Sequence, residues 1–142
     1  MKKYHAKRHP GPLIGKVVLQ TALFGIILSA CSSRASDVPR LRITNSGTLP
    51  INSLVVFFPE ESIAFGDIPA GATTEYVDVP KGIYSYAAYE FEVDGQVVTQ
   101  PVIDWIGESP MGGKLFTYTI DFDPARVNTG DSIRLLDVQT DD

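Results

Sequence analysis

Residues 114–123 read KLFTYTIDFD. Phe116, Tyr118, Ile120 and Phe122 alternate with Thr117, Thr119, Asp121 and Asp123. A period of two puts the large apolar side chains on one face of an extended strand and the polar ones on the other. One face is therefore expected to be dry and the other wet. A dry face needs a second layer to cover it. The pattern predicts that Phe116, Tyr118, Ile120 and Phe122 form the densest part of a core, on a central strand.

The segments around it repeat the same logic. RLRITN sets Leu41 and Ile43 against Arg40, Arg42 and Thr44, and NSGTLP then turns the chain. INSLVVFFP is a β-branched and aromatic run that Pro59 ends, and ESIAFGDIPAG is a short strand followed by a Pro-Ala-Gly loop. TTEYVDVP alternates as a further strand, after which Lys81-Gly82 turns. In IYSYAAYEFEVDGQVVTQPV, Tyr89, Phe91 and Val93 share a face opposite Glu90 and Glu92, and Asp94-Gly95 supplies a positive-φ hairpin turn. Tyr84 and Tyr86 fall in the phase of the glutamates, so a slip near Ala87-Ala88 predicts a β-bulge. SIRLLDV closes the series.

No amphipathic helix is legible after Cys31. The expectation is an all-β fold, a single antiparallel β-sandwich of about 7–8 strands. Its architecture is expected to be immunoglobulin-like or transthyretin-like in the loose sense, without the Cys–Trp–Cys spacing of antibody domains. Residues 65–86, FGDIPAGATTEYVDVPKGIYSY, resemble the strand, Pro-Gly loop, strand, Pro-x-Gly-x-Tyr pattern of bacterial extracellular β-sandwich modules. That resemblance implies a fold class and not a function.

The first thirty residues are of another kind. Lys2, Lys3, Lys7, Arg8 and Lys16 precede the apolar VVLQTALFGIIL, and small residues follow at Ser29 and Ala30. This is the pattern of a secretory signal peptide. Fourteen residues separate Lys16 from Cys31, against the roughly 20 a transmembrane helix needs. An uncleaved anchor is the competing reading. Leu28, Ser29, Ala30 and Cys31 resemble the lipobox of a bacterial lipoprotein. The resemblance implies a diacylglyceryl thioether on Cys31, cleavage before it and further acylation, such as palmitate, on the new amino terminus. Ser32 after the cysteine is permissive for outer-membrane sorting. The expected organisation is a signal peptide over 1–30, a lipidated cysteine and tether over 31–39, and a β-sandwich over 40–142. The expected location is extracytoplasmic, anchored to the cell membrane or the outer membrane. Two acyl chains suffice for stable anchorage.

Removing residues 1–30 takes five cations and both histidines, His5 and His9. The remaining 112 residues carry seven basic against seventeen acidic groups, a formal charge of −10. Such a surface disfavours nucleic acid and anionic headgroups. With no histidine and no free thiol, Ser-His-Asp and Cys-His catalysis and His- or Cys-ligated zinc are excluded from the mature chain. Asp121, Asp123, Asn128 and Asp131 in DFDPARVNTGD are weak calcium candidates whose spacing departs from the EF-hand loop. The pairs Glu90/Glu92 and Asp104/Glu108 would need a sugar-holding cleft to act as a glycosidase pair, which a 112-residue sandwich with short loops seldom offers.

Trp105, the only tryptophan, stands in VIDWIGESPMGG. It is either a core residue closing one end of the sandwich or, with Tyr84, Tyr86 and Met111, a candidate binding surface. No cofactor is expected. The expected function is a non-enzymatic structural or protein-interaction role in the cell envelope, with an envelope protein as partner. The alternative is a small-ligand or carbohydrate-binding module that uses the Trp105–Met111 loop.

Overall fold

The protein is described from a computed structural model that covers residues 37–102 and 104–141. The expected signal peptide over 1–30 and the expected lipidation site, Cys31, lie outside the described residues. The strands are β1 (Arg40–Asn45), β2 (Ile51–Phe57), β3 (Ser62–Ile68), β4 (Val77–Asp78), β5 (Ala88–Val93), β6 (Gln96–Gln100), β7 (Leu115–Phe122) and β8 (Ile133–Thr140), with a 3-10 helix at Pro124–Thr129. They form two four-stranded sheets, ordered β4-β1-β7-β8 and β3-β2-β5-β6. The fold is an all-β sandwich of eight strands.

β7 is central, between β1 and β8. Its inner residues Phe116, Tyr118 and Ile120 are fully buried and stand beside Leu41, Ile43 and Asn45 of β1 in register. Leu54, Val56, Tyr89 and Phe91 face them from the second sheet. The Asp94-Gly95 turn is as expected: both residues have positive φ, 52° and 76°, and join β5 to β6 with Val93 opposite Gln96.

Five details depart from the sequence expectations. First, β1 runs parallel to β7, so the first sheet is mixed and not wholly antiparallel. Alternation reports which face a residue occupies but not strand direction. Second, Thr117 on the supposedly wet face is 4% exposed, because the Arg42, Tyr76 and Asp141 side chains cover it. Third, Phe122 is only half-buried and packs on Phe91 at the sandwich edge, with ring centroids 5.6 Å apart. Fourth, no bulge occurs at Ala87-Ala88. Residues 79–87 are irregular, which is why their phase differs from β5, and the register shifts fall in β2 and between β7 and β8. Fifth, the TTEYVDVP strand shrinks to Val77–Asp78 and one bridge, Thr44 to Thr73.

The parallel register fixes the two ends of the sandwich. Arg40 stands opposite Leu115, and Thr140 opposite Phe116. The first described residues, the 101–114 connection and the last described residues therefore share one end. The tether was expected to reach Pro39, yet it already engages the domain. The Val79 amide donates to the Pro39 carbonyl (2.8 Å), and Lys114 pairs with Asp37 (2.9 Å).

Candidate functional site

The candidate surface forms at this shared end. The 79–87 segment leaves β4, and the 101–114 connection crosses over it. Gly82 takes φ 103° and lies so close to Pro110 that a β-carbon would collide with that ring. The Met111 amide donates to the Ile83 carbonyl (2.7 Å). These contacts dock the connection onto the segment that carries Tyr84 and Tyr86.

Trp105 stacks on Tyr86 with centroids 4.7 Å apart and planes 10° from parallel, and it meets Tyr84 at 5.4 Å and 67°. Tyr84 in turn stacks on Phe58 (5.9 Å), which meets the core ring of Tyr118 edge-on (6.3 Å). An unbroken run of rings thus leads from the core to the surface. Such ring pairs add about 0.5–1.5 kcal/mol each beyond their buried area. The Tyr118 hydroxyl donates to the Tyr84 carbonyl and so ties this run to β7.

The structure brings Tyr84, Tyr86 and Trp105 into contact and sets Met111 against the core beside them. Tyr84 is buried, while Tyr86, Trp105 and Met111 are half-buried. The indole therefore presents a covered face to Tyr86.

The tip of the loop is held by its own bonds. Tyr86 Oη donates to the Asp104 carbonyl (2.9 Å), the Ile106 amide to Asp104 Oδ1 (3.1 Å), and the Glu108 amide to the Trp105 carbonyl (3.1 Å). Gly107 takes φ 80°, as the third residue of a type II turn requires. Ile106 at the apex is 88% exposed. Desolvation, with the nearby Glu108 and Asp104 carboxylates, pushes the Tyr86 hydroxyl above its usual range.

The calcium candidates are not brought together. Asp121 pairs with Arg134 across β7 and β8. Asp123 caps the 3-10 helix by accepting from the Ala125 amide (3.0 Å). Asp131 pairs with Arg126 (2.7 Å), and Asn128 is exposed. No three His, Cys, Asp or Glu side chains converge among the described residues. Glu90 and Glu92 lie half-buried on one face of β5.

Two features carried no sequence signal. On the outer face of the first sheet, the Arg42 guanidinium lies 4.7 Å from the Tyr76 ring centre. Arg42 Nε donates to Thr117 Oγ1 (2.8 Å), while Thr117 and Tyr76 (2.6 Å) both donate to Asp141. Those hydrogen bonds, with the Arg42 charge, hold the Asp141 carboxyl below its usual range. At the far end, an open cleft of about 230 Å³ is lined by Leu49, Pro50, Glu92, Val93, Asp94 and Phe122. Its residues come from three segments distant in sequence, so no local pattern could announce it.

Comparison with protein-family models, with curated proteins and with solved structures finds no match to this chain.

Proposed function

We propose that this chain is a lipid-anchored extracytoplasmic β-sandwich with a non-enzymatic structural or protein-interaction role in the cell envelope. The observation that carries this reading is Leu28-Ser29-Ala30-Cys31 at the end of a basic and then apolar leader, a few residues before a folded domain. The mature chain contains no histidine and no cysteine other than Cys31. Its carboxylates Asp121, Asp123 and Asp131 are engaged with arginines or a helix end.

The packing of Trp105 also supports this role over a glycan platform. A sugar-binding aromatic offers an open ring face, and here Tyr86 lies against one face of the indole. The aromatic run serves first to fasten the 101–114 connection to the core. The described cleft lies at the other end of the sandwich, away from this loop.

Cys31→Ser tests the anchor. The variant should leave the membrane fraction while its β-sheet circular dichroism and melting midpoint stay those of the wild type. A variant that remains membrane-bound would transfer the reading to an uncleaved leader helix.

A further inference from the structure

We infer that the Asp104–Met111 loop is the domain's second contact with the bilayer, with Ile106 entering the headgroup region beside Trp105. This rests on the lipid-anchor reading of Cys31. A single exposed apolar residue carries little by itself, since scattered ones are normal on protein surfaces. Three observations give Ile106 weight.

The first is position. Asp37 pairs with Lys114, three residues beyond Met111, so the chain joins the domain at the end that carries the loop. Six residues lead from Cys31 to Asp37. Fully extended they reach about 20 Å. A cysteine held in the bilayer therefore keeps this end of the sandwich near the headgroups, whatever path the tether takes.

The second is presentation. Ile106 is 88% exposed at a turn apex, and its base is the stacked pair Trp105 and Tyr86. The loop is fastened at Gly82–Pro110 and Ile83–Met111. Little order has to be created on contact. Tryptophan and tyrosine favour the membrane–water interface, where an apolar body and a polar tip are both accommodated.

The third is backbone satisfaction. The Ile106 and Glu108 amides already have acceptors within the loop. The tip can thus enter a region poorer in water without stranding those donors. The flanking Asp104 and Glu108 match the cationic ammonium of zwitterionic headgroups and oppose an anionic surface.

Trp105 is the only tryptophan of the whole chain, so its fluorescence reports on this loop alone. The lipidated mature protein, beginning at Cys31, is reconstituted into phosphatidylcholine vesicles, with and without dibrominated acyl chains, and flotation is scored in parallel. The expected result is that the protein floats, brominated lipid quenches Trp105, and Ile106→Asp loses that quenching while still floating and melting as the wild type does. A wild type that floats with Trp105 unquenched overturns the loop contact and leaves the anchor standing, as does an Ile106→Asp variant that is quenched equally. The side chain would then be free for a protein partner. A wild type that does not float overturns the anchor and the loop contact together.

Discussion

Asn45 is the residue whose loss should be felt out of proportion to its size. It ends β1 where the chain leaves the first sheet for the second, and its side chain is fully buried. Nδ2 lies within hydrogen-bond distance of the carbonyls of Leu49 (2.8 Å), Ile68 (3.1 Å) and Pro69 (3.2 Å), while Oδ1 accepts from the Gly47 amide (3.0 Å). One amide therefore ties the β1–β2 crossover to the end of β3. Two hydrogens serve three carbonyls, so one is shared.

Asn45→Ala removes these bonds and strands the Ile68 carbonyl in the interior. At about 1 kcal/mol net for each of the three bonds the side chain can fully make, plus about 1 kcal/mol for the stranded acceptor, the loss is about 4 kcal/mol. Domains of this size are stable by about 5–15 kcal/mol. The assay is urea unfolding, where the midpoint should fall with the slope unchanged. Thr44→Ala is the control. It loses one exposed bond to Thr73 and should cost no more than about 0.5 kcal/mol. A loss at Asn45 below about 1 kcal/mol would mean that water replaces the amide at no penalty, and the crossover would then not depend on it. Asn45→Asp is a harsher change at neutral pH, because a carboxylate would face three carbonyl oxygens. Acid should partly rescue it, since a protonated carboxyl can donate.

On β7, Phe116→Ala should cost about 3–5 kcal/mol and the half-buried Phe122→Ala only about 1–2 kcal/mol, with Thr119→Ala near neutral; thermal or urea melts that rank Phe122 above Phe116 would invert this account of the core. Tyr89 has a buried hydroxyl with no hydrogen-bond partner among the described residues, and burial pushes its ionisation well above the ordinary range, so Tyr89→Phe should be neutral or stabilising by about 1 kcal/mol. Tyr118→Phe loses its bond to the Tyr84 carbonyl and should destabilise, and equal shifts in melting midpoint for the two variants would contradict the assignment. The Asp141 carboxyl titrates low in the folded chain. Its contribution is therefore present above the unfolded value of about 3.9 and lost as pH falls through the folded one. The stability gap between wild type and Asp141→Asn should be open at pH 6 and closed in strong acid, and a gap that does not change with pH would show that the charge contributes nothing.

Local pattern determined the strands of this protein. Period two in residues 115–122, the Asp94-Gly95 turn and the alternation of Tyr89, Phe91 and Val93 are properties of neighbouring residues, and they specify which side of a strand must be dry whatever the strand packs against. Residue type, not alternation, marked Trp105 as either a core residue or a candidate surface with Tyr84, Tyr86 and Met111, and the structure brings the three rings into contact. The proposed leader and Leu28–Cys31 lie outside the described residues and rest on the sequence alone, since a signal of that kind would be read from an unfolded chain. Tertiary structure alone decided the rest. Strand direction, the parallel pairing of β1 with β7, depends on contacts more than seventy residues apart. The burial of Thr117 depends on Arg42, Tyr76 and Asp141 arriving from three other segments. The placement of Ile106 at the end where Asp37 enters follows from that same parallel register. Faces are set by geometry along the chain, whereas neighbours are set by which surfaces bury one another, and no window of adjacent residues contains that information.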